Sequence, residues 1–325
     1  MLLLFYKLVY KLKNKCKEII ILMALKAFIS SLIENIPENN IPKEIDLVLD
    51  SGAFNGVYML GGLFYIKELE ERNKIKIKRV SGCSIGAILG LLFILNKMDK
   101  SVNLATYAFK CLRKHQNLKK FLGLVKIIFN EIIKEEDIYK LNNKFYLTYF
   151  DTITGKQVIK KKYSCKEDLF NSVIKSLYIP YLIDKKLTYD DGCIDGAFPY
   201  IFKPKNNRKI VFFNLQSLDK ITKIIFIKNE KNIYPRLFEG LMDTHHFFET
   251  NKPNNMCSYV NDWSIIDILI FRLREIILII LVYIFRVGLK IDTLFPDSWR
   301  KDNFIKQHVA VFKNIWRDII LYLTI

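Results

Sequence analysis

Residues 47–95 read LVLDSGAFNGVYMLGGLFYIKELEERNKIKIKRVSGCSIGAILGLLFIL and decide the fold. They contain two Gly-rich turns, SGAFNG at residues 51–56 and GCSIG at residues 82–86. Each turn lies between a short run typical of a strand and a longer apolar run typical of a helix. The stretch therefore predicts the order strand, turn, helix, strand, turn, helix. Strands that alternate with helices in this way favour a three-layer α/β fold.

The second turn has the G-x-S-x-G pattern of a nucleophile elbow. In such an elbow a serine on a sharp strand-to-helix turn projects its hydroxyl outward. Gly82 and Gly86 remove side chains that would collide in so tight a turn. The preceding run is rich in β-branched residues and the following run, residues 87–95, favours a helix, so the required context is present. Ser84 is therefore the candidate nucleophile.

The first turn places Gly52 and Gly56 at the start of a helix, where backbone N–H groups can bind an anion. An acyl-transfer enzyme needs such donors for the oxygen that becomes negative in the tetrahedral intermediate. The alternatives are a phosphate or nucleotide cradle and a simple tight turn. A P-loop is excluded because no Gly-Lys-Ser/Thr follows, and a full G-x-G-x-x-G fingerprint is absent.

A third motif lies far downstream, where residues 189–199 read YDDGCIDGAFP. Asp195, followed by Gly196 and Ala197, is typical of a strand-end turn whose carboxylate points into a cleft. The Asp-Gly dipeptide is common in turns, so this motif carries little meaning alone.

Together the three motifs resemble those of the patatin-like phospholipases, which have G-G-G-x-K/R-G, then G-x-S-x-G, then D-G-G or D-G-A. The matching residues are 51–56, 82–86 and 195–197. The resemblance covers roughly residues 45–205 and implies a patatin-like α/β/α fold with a mainly parallel central sheet. It also implies a Ser-Asp dyad, with Ser84 as nucleophile and Asp195 as general base, that hydrolyses acyl esters of lipids.

The first motif departs from the family pattern. Ser51 and Ala53 stand where the family has glycines, and Asn55 stands where it has a cation. The expected oxyanion donors are the N–H groups of Gly52 and Ala53, with that of Ile85. Ala53 can donate in this way provided that its φ is negative. A catalytically weak, membrane-binding scaffold or regulator of the same fold is the alternative.

Histidine offers a second alternative at the same site. A Ser-Asp-His triad in the order of the α/β-hydrolases would need Ser84, Asp195 and one of His245, His246 or His308. That fold places several strands before its nucleophile, whereas only one strand and one helix fit here before the elbow strand. The dyad is therefore favoured. Neither a metal nor a cofactor is expected, because HExxH, clustered Cys/His spacings and Asp-rich calcium loops are missing from the sequence.

Composition indicates where the chain acts. With 51% apolar residues among 325, it can bury a sizeable core. Its 51 Lys+Arg and 33 Asp+Glu give a net charge of +18, which favours an anionic partner. For a lipid hydrolase the expected partner is an anionic membrane surface. Nucleic acid is not expected, because zinc-finger spacing, an RNP-like box and an Arg-rich arm are all missing. Six scattered cysteines predict reduced thiols and hence an intracellular setting. Together with the expected membrane partner, this predicts an intracellular, peripheral membrane protein.

Three regions are expected along the chain. Residues 1–44 form a basic amphipathic helical segment and a linker, with the helix lying either on a membrane or on the domain. Residues 45–230 form the catalytic domain and include a strand at 223–228. Residues 231–325 form a helical, hydrophobic region that packs on the domain or on a membrane. Residues 265–289 are the most hydrophobic stretch, but five charged residues interrupt it, so a buried or membrane-lying helix is favoured over a transmembrane span.

Overall fold

A computed structural model describes residues 20–294 except 181, 185, 187, 190, 191 and 205–207, together with residues 318 and 322. The helices are α1 (residues 20–34), α2 (Gly56–Glu71), α3 (Ile85–Ile94), α4 (Ser101–His115), α5 (Lys119–Ile132), α6 (Glu135–Leu141), α7 (Lys166–Leu177), α8 (Tyr234–Thr250) and α9 (Ile265–Leu294). The strands are β1 (Glu44–Leu49), β2 (Lys76–Cys83), β3 (Phe145–Asp151), β4 (Lys156–Lys160), β5 (Cys193–Asp195), β6 (Lys209–Phe213) and β7 (Cys257–Tyr259).

The strands form one central sheet in the order β4-β3-β2-β1-β6-β7, with β5 paired to β3. The neighbours β3, β2, β1 and β6 are parallel, whereas β4, β5 and β7 are antiparallel to their partners. The expected α/β/α fold is confirmed, with parallel pairing confined to the four central strands. Parallel neighbours need helical crossovers, which explains why helices alternate with these strands along the chain.

The short strand β5 continues the sheet where β2 stops. β4 pairs with β3 along residues 147–151 and so occupies one edge of that strand. On the other edge, β2 pairs with β3 as far as Cys83 opposite Thr148, and β5 takes over with Asp195 opposite Tyr149. Because a strand has only two edges, β5 must lie in line with the end of β2. This places Asp195 directly beyond Cys83.

Successive side chains of β1 point to opposite faces of the sheet, so the strand contributes to the core on both sides. Leu47 and Leu49 point into the large core that the sheet shares with the helices on one side. Val48 points to the opposite face, where a smaller cluster includes Phe212 of β6 and Phe271 of α9. Helix α9 therefore helps to cover the second face of the sheet.

The sheet and its helical layer continue past residue 230. β7 pairs with β6 through Tyr259 opposite Val211, and α8 packs along α2. The division of the chain at residue 230 stays a prediction, but the region after it contributes both a strand and a helix to this fold.

The strand expected at residues 223–228 is wrong. A 3-10 helix covers Ile221–Lys223, and the following carbonyl groups are bonded by arginine side chains instead of a neighbouring strand. Arg236 donates to the carbonyls of Lys223 and Phe226, and Arg113 donates to that of Ile227. These contacts satisfy the backbone outside the sheet, which an apolar sequence pattern cannot reveal.

The two ends of the chain are described only in part. Helix α1 packs on the domain through buried Leu25, Ile29 and Ile33. Among the residues that the structure describes, none of the helices is long and apolar enough to cross a bilayer. Residues 1–19 of the expected amphipathic segment lie outside the described residues, as do most of residues 295–325, including His308.

Candidate active site

Ser84 occupies a sharp turn between β2 and α3. Its φ of 54° and ψ of −124° are unusual for a residue other than glycine and are those of a strained elbow. Gly86 lies so close to β1 that a Cβ atom there would be 2.5 Å from the Leu49 carbonyl oxygen. The Ser84 N–H donates to Ser176 Oγ at 2.9 Å, which fixes the turn against α7. The motif at residues 82–86 thus has the local structure that its sequence predicts.

Asp195 lies beside this serine. The Ser84 side chain lies close enough to its carboxylate to lower the pKa of that group as a hydrogen-bond donor. The carboxylate also accepts from the Ala197 N–H at 2.8 Å, and the Cys83 thiol donates to it at 3.5 Å. The two predicted catalytic residues, 111 positions apart in the sequence, therefore lie side by side. β2 and β5 lie end to end along one edge of β3, and this alignment brings Ser84 and Asp195 together.

Burial raises the pKa of Asp195 from 3.8 to about 6. The hydrogen bond with Ser84 and the Ala197 N–H lower it, and the negative charge of Asp50 raises it further. A carboxylate with this pKa is ionised at neutral pH and binds a proton more readily than an ordinary aspartate, which suits a general base.

The Gly-rich loop leaves two backbone donors available near the elbow. The Phe54 N–H donates to the Ile224 carbonyl at 3.1 Å and the Asn55 N–H to the Gly52 carbonyl at 2.8 Å. Within the described part of the chain, no acceptor bonds the N–H of Gly52 or Ala53. These two amides are among the three oxyanion donors that the sequence predicts, the third being that of Ile85, and the role of all three stays a prediction.

Ala53 does not meet the condition set for its role as a donor, because its φ is 43° rather than negative, although its N–H is not bonded to any acceptor among the described residues. The turn places Ala53 in the left-handed region, which glycine adopts without strain. Alanine at this glycine position of the family therefore adopts a glycine-like conformation, at a cost of about 1 kcal/mol.

Direct contacts join the three motifs. A Cβ atom on Gly56 would lie 2.2 Å from Cγ1 of Ile85, so the end of the Gly-rich loop packs on the elbow. Ser51 Oγ donates to the Ala197 carbonyl, which connects the loop to the Asp-Gly turn. Gln216 lies in the loop after β6, and its Nε2 donates to Ser51 Oγ at 2.6 Å. The residues at 51–56, 82–86 and 195–197 therefore form one site.

Asn55 also anchors the Gly-rich loop. Its Nδ2 donates to the carbonyls of Leu215 and Lys220 at 2.9 and 2.7 Å, and its Oδ1 accepts from Arg236 Nη1 at 2.9 Å. Asn55 is fully buried and has both ends of its amide bonded. The residue that replaces the family's cation thus has a structural role, and a buried arginine lies directly behind it.

The two described histidines of the alternative triad, His245 and His246, have partners elsewhere. His245 Nδ1 lies 3.0 Å from the Tyr65 hydroxyl, and His246 is exposed beside Glu249. His308, the third candidate of the triad, lies outside the described residues. Among the described residues there is also no group of three His, Cys, Asp or Glu side chains arranged to hold a metal ion.

Sequence reasoning missed several residues that support the site. Ser176 and Gln216 carry no sequence signal, because their neighbours in the chain are unremarkable. Asp50 was visible as a carboxylate at a strand end directly before the Gly-rich loop. Arg274 was visible as a charge in an apolar segment, but its partner Asp50 is 224 residues away.

Comparison with known proteins places these motifs in one family domain. A scan of protein-family models matches residues 47–251 to the model described as patatin-like phospholipase. That range includes the elbow, the Gly-rich loop and the Asp-Gly turn. A search of curated proteins gives no match.

Proposed function

Since this chain belongs to the patatin-like phospholipase family, we propose that it hydrolyses fatty-acyl esters of phospholipids or lysophospholipids through Ser84 and Asp195. The family membership supports lipid acyl hydrolysis in general. The position of the Ser84 side chain beside the Asp195 carboxylate, which also accepts from the neighbouring Cys83 thiol, supports this particular dyad. A nucleophile hydrogen-bonded to a base of suitable pKa is the arrangement that nucleophilic catalysis requires.

In the first step of the proposed mechanism, Asp195 accepts the hydroxyl proton as Ser84 Oγ bonds to the ester carbonyl carbon. The resulting oxyanion accepts hydrogen bonds from the N–H groups of Gly52 and Ala53, with the Ile85 N–H at the start of α3 as a third donor. When the tetrahedral intermediate collapses, the bond to the alcohol oxygen breaks. Asp195 then returns its proton to that oxygen, and Ser84 is left as an acyl ester.

In the second step, Asp195 takes a proton from a water molecule as the water oxygen attacks the acyl-enzyme carbonyl. Collapse of this second intermediate breaks the bond to Ser84 Oγ, which recovers the proton from Asp195. The products are a fatty acid and the free enzyme. One carboxylate serves both steps, so the mechanism uses no histidine.

We also propose that the chain acts at an anionic membrane surface. Its net charge of +18 favours such a surface, and helix α9 presents large apolar side chains to solvent. Apolar side chains on an exposed helix, together with positive charge, favour binding at a membrane interface. The exposed apolar residues of α9 are Ile265, Ile266, Ile268, Leu269, Ile270, Leu273, Ile276, Ile277, Ile279, Ile280 and Tyr283.

The pH dependence of hydrolysis tests the role of Asp195. A general base is active only when ionised, and its pKa is raised to about 6. We therefore expect kcat/KM for a soluble short-chain ester to be constant at pH 7–8 and to fall about tenfold for each pH unit below that pKa. A stopped-rate assay between pH 4.5 and 8 measures this profile. Activity that stays constant down to pH 4.5 would contradict Asp195 as the base.

A further inference from the structure

Asp50 is a buried carboxylate at the end of β1, directly before the Gly-rich loop. It is 0% exposed. Its Oδ1 accepts from the Ser51 N–H at 2.9 Å, and its Oδ2 lies 3.4 Å from the Leu215 N–H. Asp50 thereby joins the loop after β1 to the loop after β6. An ionised carboxylate at such a depth needs a compensating cation.

Arg274 of α9 supplies that cation. Its Nη2 lies 2.8 Å from Oδ1 and 2.9 Å from Oδ2 of Asp50. No other cation is paired with Asp50 in the part of the chain that the structure describes. Burial raises the pKa of Asp50 above its ordinary value, and the Arg274 guanidinium opposes part of that rise. The pair therefore favours the ionised form of a carboxylate that would otherwise tend to be neutral.

Arg274 lies outside the family domain, which ends at residue 251. Alternation along β1 places Asp50 on the same sheet face as Val48, the face that α9 helps to cover. Phe271, three residues before Arg274, packs in the cluster that includes Val48. Residues three apart lie on the same side of a helix, so one apolar contact and one ion pair together fix α9 over the end of β1.

We propose that Arg274 is a positioning residue that acts on the catalytic centre through Asp50. By keeping Asp50 ionised and in place, it fixes the Ser51 and Leu215 amides and hence the Gly-rich loop beside Ser84. A helix outside the family domain thus completes the support of the site. This inference rests on the proposed function, since it assumes that Ser84 is the nucleophile.

Loss of Arg274 alone would disturb the site in either protonation state of Asp50. If Asp50 stayed ionised, an uncompensated buried charge would face Asp195 and Cys83, the titratable groups on which it already acts. If Asp50 became protonated, it would lose acceptor strength toward the Ser51 amide. Replacing both partners by neutral side chains of similar shape removes the uncompensated charge, and the amide oxygen of an asparagine at position 50 can still accept from the Ser51 N–H.

Covalent labelling of Ser84 by a fluorophosphonate ester tests the proposal with the full chain. The variants are Arg274→Gln, Arg274→Lys, and the double variant Asp50→Asn with Arg274→Gln. Arg272→Gln is the matched control, because Arg272 is 60% exposed and pairs with Glu275. Mass spectrometry locates the label, and the midpoint of thermal unfolding is recorded for each variant.

We expect Arg274→Gln to be labelled at least tenfold more slowly than the unaltered chain, and Arg272→Gln within twofold of it. The double variant is expected to regain most of the lost labelling rate and thermal stability, because no buried charge is left alone. Arg274→Lys keeps the charge without the paired contacts and is expected to label at an intermediate rate. If Arg274→Gln does not fold, the lysine and double variants carry the test.

Three results would overturn the proposal. Labelling of Arg274→Gln at the unaltered rate would show that Arg274 does not act on the site. A folded double variant as slow as Arg274→Gln would show that α9 is only a tether and that charge compensation has no part. A folded, unaltered chain that is not labelled at Ser84 would contradict the proposed function itself, and this inference would fall with it.

Discussion

Replacing Ser84 by alanine is expected to lower ester hydrolysis by about 10⁴- to 10⁶-fold, because removal of the nucleophile leaves only binding and electrostatic contributions to catalysis. Ser84 is only 3% exposed, and its backbone is fixed by Ser176 and by the packing of Gly86 on β1. The loss of one hydroxyl should therefore leave the fold intact. Hydrolysis of a soluble short-chain ester and the thermal unfolding midpoint measure the two effects.

Ser81→Ala is the matched control for Ser84→Ala. Ser81 is fully buried on β2, three residues before Ser84, and its hydroxyl has no hydrogen-bond partner among the described residues. Ser81→Ala removes a serine hydroxyl from the strand that leads into the elbow and leaves residues 82–86 unchanged. We expect it to keep nearly full activity. Equal activity in Ser84→Ala and Ser81→Ala would exclude Ser84 as the nucleophile.

Replacing Asp195 by asparagine is expected to lower hydrolysis by about 10²- to 10⁴-fold, the usual contribution of a general base. Asparagine can still accept from the Ala197 N–H, so the turn keeps its main contact. It cannot take the Ser84 proton at any pH. The residual activity should therefore no longer fall near pH 6. Asp262→Asn is the matched control, because Asp262 is exposed and forms a surface ion pair with Lys209.

Asp195→Asn, which is expected to lower activity, should raise the stability of the folded state at high pH. The pKa of Asp195 is raised to about 6 in the folded state, above its ordinary value of 3.8. The folded state therefore binds more protons between these values, and its free energy of unfolding falls as pH rises through that interval. Asp195→Asn removes this cost, so its unfolding midpoint should exceed that of the unaltered chain at pH 8. The difference should nearly vanish at pH 4, and an unchanged midpoint at pH 8 would contradict the raised pKa.

The sequence was sufficient to predict the order of the elements around the elbow. Alternating strand and helix patterns with glycines at fixed offsets predicted β1, α2, β2 and α3, because these features are local. The pairing of Ser84 with Asp195 came only from the family resemblance. In the structure it depends on β5 taking over from β2 along β3, and no local pattern in the sequence encodes that change of partner.

The failed predictions also have physical causes. The apolar run at residues 223–228 looks like a strand, but Arg236 bonds its carbonyl groups from α8. Ala53 adopts a positive φ because the turn requires it, whatever residue stands there. The Asp50–Arg274 pair was not predicted, since 224 residues separate its members and side-chain pairs at such a distance leave no periodic signal.

Fatty-acid release from anionic phospholipid vesicles by the intact chain tests the central claim most directly. It is measured beside a variant in which all four histidines are replaced by glutamine. The proposed mechanism predicts release by both proteins, because Asp195 serves as base without a histidine. Loss of release in the folded histidine-free variant would favour a triad. A folded, vesicle-bound chain that releases no fatty acid would contradict the hydrolase and leave the membrane-binding scaffold as the better account.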